Sequence, residues 1–160
     1  MVRTGGSVAS RAAGTGPPAP AMVVIDTNCV LDLLVFGDER VAGLQAALQA
    51  GRVRWCATPP MRAELARVLR YPRVAPRLAL AALHEDEVLA AFDDRVLPCD
   101  PAPPAPVRCR DLDDQMFIDL AVQRRATLFS KDARVLGLAR SLRPLGVMLA
   151  RAWPLDVEAA

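Results

Sequence analysis

One hundred and sixty residues, 52% apolar and 24% charged, suit one compact domain with a proper core and exclude a disordered chain. Net charge is only +2, so bulk charge does not announce a nucleic-acid binder; such affinity needs a local patch, or cations over an acidic cleft. One histidine and four cysteines with no Cys-x-x-Cys pair argue against a zinc site, and no secretory signal or membrane-length apolar run is evident, which points to free thiols in a reducing cytoplasm.

Residues 1–21 are Gly, Ala, Ser, Thr, Pro and two arginines without a period. They are expected to form a disordered tail. Arginines without acids also resemble a transit leader, and Met22 is an alternative start. Residues 22–155 are expected to form one domain, and 156–160 a short C-terminal tail.

Val23-Val24-Ile25 runs into Asp26-Thr27-Asn28, which predicts a buried first strand over 22–27 that delivers a carboxylate to the sheet end. A helix is expected from about Cys29, a turn at Phe36-Gly37-Asp38, a second helix over about 39–50 stopping at Gly51, and a strand over 53–57. Thr58 reads as an N-cap with Pro59 at the first helical position, and the third helix runs to about Arg70 before Tyr71-Pro72 breaks it. Residues 74–92 are helix-rich, as one helix or two, interrupted by His84-Glu85-Asp86-Glu87. Arg95–Leu97 reads as an edge strand, and the prolines of 98–106 as a stiff extended connection. Asp113 and Asp114 open a helix carrying Phe117, Ile118, Ala121 and Val122. Thr127–Phe129 is a strand closed by Ser130-Lys131-Asp132, a helix carries Val135, Leu136, Leu138 and Ala139, and Leu145–Leu149 is a last strand. Alternating strands and helices predict a mostly parallel sheet covered on both faces. Cys29, Cys56 and Trp55 are expected in the core.

Asp26 and Asp132 occupy equivalent places, each after a strand and before a helix, where ligands of open parallel sheets bind. Helix capping is the alternative for each. Glu64 borders the inward stripe of Met61, Leu65 and Val68, with a solvated surface position as its alternative. Asp114 heads the buried face of its helix, and capping would explain either it or Asp113. Four acids at one sheet edge repel unless cations sit among them, and oxygen donors alone suit Mg²⁺ or Mn²⁺. Such a site serves in-line phosphoryl displacement, for which nucleic acid is the natural substrate. Asn28 could hold Asp26 or a phosphate, and Ser130 aims a hydroxyl at the same point. Lys131 alternates away from Ser130. Arginines 62, 67, 70, 73, 77, 108 and 110 are the expected phosphate contacts, with a solvated face as the alternative.

Val24-Ile25-Asp26-Thr27-Asn28, Ala63-Glu64-Leu65, Asp111-Leu112-Asp113-Asp114 with Phe117 and Leu120-Ala121, and Ser130-Lys131-Asp132 together resemble the PIN domain, in the branch of toxin components of bacterial type II toxin–antitoxin systems, the VapC-like ribonucleases. The resemblance covers nearly all of 22–155. It departs from the usual pattern at Leu112, where proline is common, and at Cys29, where valine is. It implies a three-layer α/β/α sandwich around a parallel sheet of about five strands. It further implies a Mg²⁺- or Mn²⁺-dependent endoribonuclease with Asp26, Glu64, Asp114 and Asp132 as metal ligands. Water would attack phosphorus, leaving a 3′-hydroxyl and a 5′-phosphate. RNA is the implied substrate, with an antitoxin and a second copy of the chain as partners. The alternative is a catalytically inactive module of the same fold that binds RNA or protein.

Overall fold

The computed structural model describes residues 20–153, so the tails expected at 1–21 and 156–160 lie almost wholly outside the described residues. Five strands form one sheet in the order β3-β2-β1-β4-β5, every pair parallel. They are β1 (Ala21–Ile25), β2 (Val53–Ala57), β3 (Val96–Pro98), β4 (Thr127–Phe129) and β5 (Met148–Ala150). Parallel neighbours require crossovers, and the intervening helices cover the sheet faces. The central strands are accordingly apolar on both sides: Val23, Val24, Ile25, Leu128 and Phe129 are all buried. Trp55 and the four cysteines are buried as well, and the cysteines are free thiols.

Helix α1 (Thr27–Leu31) starts two residues earlier than the sequence predicts and widens into a π turn over Asp32–Phe36. Strand β1 correspondingly ends at Ile25, so Asp26 and Thr27 leave the sheet. The predicted turn follows: Gly37 takes the left-handed conformation at φ 62, open to a residue without Cβ. Helix α2 (Ala42–Gln49) is preceded by a 3-10 turn, and ends where Gly51 turns left-handed. Helix α3 (Pro59–Val68) has Thr58 at its N-cap position, but the threonine side chain makes no capping bond; Pro59 alone marks the start.

The helix-rich stretch over 74–92 divides into two helices. Helix α4 (Ala75–Leu80) stops at Ala82, which sits at φ 57, and α5 (Glu85–Arg95) starts behind a His84–Glu87 capping box. The proline-rich connection is extended and is stapled to α6 (Gln115–Arg124). The Gln115 amide accepts from Cys109 N–H at 2.6 Å and donates to Val107 O at 3.0 Å, and Asp119 accepts from Ala105 N–H at 2.9 Å. These side chains substitute for the ladder that prolines cannot form. The expected helix after Asp132 is instead two single turns, α7 (Ala133–Leu136) and α8 (Ala139–Leu142), and the last strand begins three residues later than predicted. No helix among the described residues is long and apolar enough to cross a membrane.

Candidate active site

Four elements bring acids to the C-terminal ends of the strands. Asp26 follows β1 directly, Glu64 lies in the second turn of α3, Asp114 stands at the N-cap position of α6, and Asp132 heads α7. Each helix begins where a strand or connection arrives at this end of the sheet, so strand–helix alternation places all four together. Asp26 is only 5% exposed. Ser130, completely buried after β4, donates its hydroxyl to Asp26 Oδ2 at 2.8 Å and accepts the Asp132 N–H at 3.1 Å. One serine thus ties the two strand-end acids. Glu64 accepts a hydrogen bond from the hydroxyl of buried Thr27.

The charges act on one another. Burial pushes the Asp114 carboxyl up to about 7; Asp26, Asp132 and Asp111 add repulsion, and a hydrogen bond to Asp132 favours the protonated acid. Burial likewise raises Asp26, opposed by the Ser130 bond and the Thr27 and Asn28 amides and reinforced by Asp132. It raises Glu64 too, with Thr27 pulling back and Asp26 and Asp113 adding repulsion. Carboxylates so placed hold protons that a cation would displace.

Capping accounts for part of this end. Asp132 Oδ1 accepts the Arg134 N–H at 2.8 Å and so does cap α7 while sharing the acidic cleft. The expectation that capping explains Asp113 or Asp114 is corrected. Asp111 caps that turn, accepting the Asp113 N–H at 2.9 Å, and its other oxygen meets Arg134 Nη1 at 3.2 Å. Asp114 Oδ2 is buried with no hydrogen-bond partner. A buried carboxylate oxygen left unpaired among like charges is costly. An all-oxygen donor set around it fits a hard divalent cation. Among the described residues no three acids, thiols or imidazoles stand ready-made as a metal cage; the side chains are folded back onto Ser130, Thr27 and the Arg134 amide.

Asn28 is exposed at the rim, beside Asp26. The sequence reading missed two supports. Thr27 orients Glu64, and the buried Asp32 of the π turn pairs with Lys131 Nζ at 2.6 Å. Through that pair Lys131 pins the loop that carries Ser130 and Asp132. Most expected phosphate contacts have partners within the protein. Arg62 grips Asp93 through two bonds at 2.7 and 2.9 Å, Arg70 pairs with Glu85 at 2.7 Å, Arg108 lies 3.9 Å from Asp119, and Arg77 sits 3.6 Å over the Phe36 ring. Arg67 bears on Glu64, drawing its proton affinity down.

A parallel five-stranded sheet with acids at its carboxyl edge defines an α/β class of protein, in which ligands bind beyond the carboxyl ends of the strands. The PIN domain family model matches residues 22–129, more than half of the sequence, and the chain belongs to that family. Ser130 and Asp132 lie just beyond the matched stretch. Among solved structures the fold is similar to that of VapBC2 from Rickettsia felis bound to a DNA fragment from their promoter, with TM-score 0.52 and 11% identity over 81% of this chain and 97% of that one. At that identity the likeness is one of fold. Comparison with curated proteins gives no match.

Proposed function

We propose that the protein is a Mg²⁺- or Mn²⁺-dependent endoribonuclease, acting in the cytoplasm as the toxin of a toxin–antitoxin pair. The observation that carries this reading is the unpartnered, buried Asp114 oxygen among the carboxylates of Asp26 and Asp132. Membership of the PIN family supports a nuclease. The toxin role and a homodimer rest on the motif resemblance; an antitoxin partner rests on it too and is supported by the fold likeness to VapBC2.

Asp26, Glu64, Asp114 and Asp132 would hold the cation. When bound, it supplies positive charge to the scissile phosphate and acidity to a water. The remaining work belongs to the chain. Ser130 fixes the rotamer of Asp26, and Thr27 holds Glu64 at the mouth. Asp114 takes the proton that the crowded acids cannot all lose at neutral pH. Asn28, exposed at the rim, offers an amide to a phosphate oxygen. Hydrolysis adds the water oxygen to phosphorus and releases the 3′-oxygen as a hydroxyl, leaving a 5′-phosphate.

Purified protein incubated with single-stranded and structured RNA is expected to cut in Mg²⁺ or Mn²⁺ and not in EDTA. Asp26→Asn is expected to lower the rate about 100-fold or more, the scale of a single catalytic group. Cleavage that survives both EDTA and this substitution would overturn the assignment. Because the acids do not form a ready-made cage, an inactive binding module is the second reading; ion binding without any cleavage would favour it.

A further inference from the structure

The end of the sheet opposite the acids is basic. Arg52 immediately precedes β2 and Arg54 is its second residue; Arg95 ends α5 before β3; Arg124 ends α6 and Arg125 caps it before β4. All five are exposed. Among the described residues none is ion-paired with a carboxylate. Strands β2 and β4 flank β1, with Val53 opposite Ala21 and Thr127 opposite Val23, so Arg52 and Arg54 stand at the same end of the sheet as Arg124 and Arg125. Strand β3 pairs only with Trp55–Ala57, leaving the lower part of β2 uncovered at that edge. The result is a notch of about 400 Å³ with Arg54 and Arg95 on its walls and Asp94 as its acid. A helix dipole accounts for Arg95 and Arg124 taken singly. It does not account for Arg54, which belongs to a strand, or for Arg52, which leads into it.

We propose that this basic end binds the phosphodiester backbone of single-stranded RNA at a distance from the acidic cleft; the proposal rests on the reading of that cleft as one that acts on RNA. An acidic cleft repels a polyanion, so it is poorly suited to supply ground-state affinity. Guanidinium groups suit phosphate, and these five are free of internal ion pairs, whereas Arg62 and Arg70 are bound to Asp93 and Glu85. The five residues of β1 separate the two ends by about 17 Å, a span that a flexible strand of several nucleotides crosses and a very short one does not. Binding here is therefore uniform binding: it lowers KM and leaves kcat alone.

The test uses the full chain and its Arg52→Gln/Arg54→Gln and Arg124→Gln/Arg125→Gln variants, separately and combined. The probe is a labelled single-stranded RNA of about 30 nucleotides, titrated in EDTA over a salt series. Each pair is expected to weaken binding about 10-fold at low salt, and the combination to flatten the salt dependence by about 0.7 per lost phosphate contact. With Mn²⁺, KM for the long RNA is expected to rise by the same factor at constant kcat, while cleavage of a trinucleotide is unaffected. Unchanged affinity and slope in a folded combined variant would overturn the proposal, as would a change confined to self-association in sedimentation. RNA binding that depends on these arginines in a protein that cuts nothing would leave the basic end standing and remove the nuclease reading. If the combined variant does not fold, Arg54→Gln and Arg95→Gln singly decide by the same criteria.

Discussion

The Asp114 carboxyl is held well above the ordinary carboxylate range. It is pushed from 3.8 to about 7 by burial first and by Asp26, Asp132 and Asp111 after it. Between about pH 4 and pH 7 the folded protein therefore keeps a proton that the unfolded chain has released, and stability falls as pH rises through that window. Asp26 and Glu64 are shifted the same way and steepen the same slope. In EDTA, Asp114→Asn is expected to raise Tm at pH 8, where the penalty is fully present, and to change it little at pH 4. Calorimetry at the two pH values checks this; an equal gain at both would assign the effect to something other than charge.

At the scale of elements, two contacts hold the segments around the sheet in place. The π turn is tied to the β4–α7 loop by Lys131 and Asp32, whose side chains are 32% and 6% exposed. Lys131→Ala would strand a buried carboxylate. A fully buried broken pair costs about 3–5 kcal/mol, and the partly solvated ammonium lowers the expected loss to about 2 kcal/mol, read from urea unfolding. Lys131→Arg is expected to recover most of it. The second contact closes the C-terminal strand region onto α2. The Trp153 backbone N–H donates to Arg40 O at 2.9 Å, and its side chain packs against Gly43, where an added Cβ would lie 2.7 Å from the indole Cδ1. Glycine to alanine normally stabilises a helix by roughly 0.5–1 kcal/mol. Here Gly43→Ala is expected to destabilise by about 1–3 kcal/mol through overpacking, with the Trp153 emission shifting toward that of an exposed indole.

For the molecule as a whole, charge is segregated rather than absent. The net of +2 hides an acidic carboxyl edge and a basic opposite end. A cation that binds only the folded acidic edge must stabilise the fold by mass action. At 100 times its dissociation constant Mn²⁺ contributes about 2.7 kcal/mol, or roughly 8 °C in Tm for a domain of this size. Asp26→Asn and Asp132→Asn are each expected to remove most of that rise. A Tm indifferent to Mn²⁺ in the unsubstituted protein would remove the cation from the proposal.

Strand positions were legible because parallel strands buried on both faces read as unbroken apolar runs: β2 and β4 fall where the residues predict, and β1 differs only at its ends. Strand–helix alternation also announced that Asp26 and Asp132 would share an edge. The α4–α5 break was open, because Ala82 carries no turn chemistry of its own and is held left-handed by its surroundings. Thr27 stands at the end of the predicted first strand and Asp32 within the predicted helix, and only packing turns one toward Glu64 and the other toward Lys131. The arginines show the same division. Sequence counts them, but a guanidinium becomes free or satisfied according to which carboxylate the fold brings within reach, and those carboxylates lie up to 31 positions away. Local pattern determined which segments are strands and helices and which acids end them. Tertiary structure decided which charges are paired, buried or left facing solvent, because long-range neighbours set that electrostatic environment and no local period encodes them.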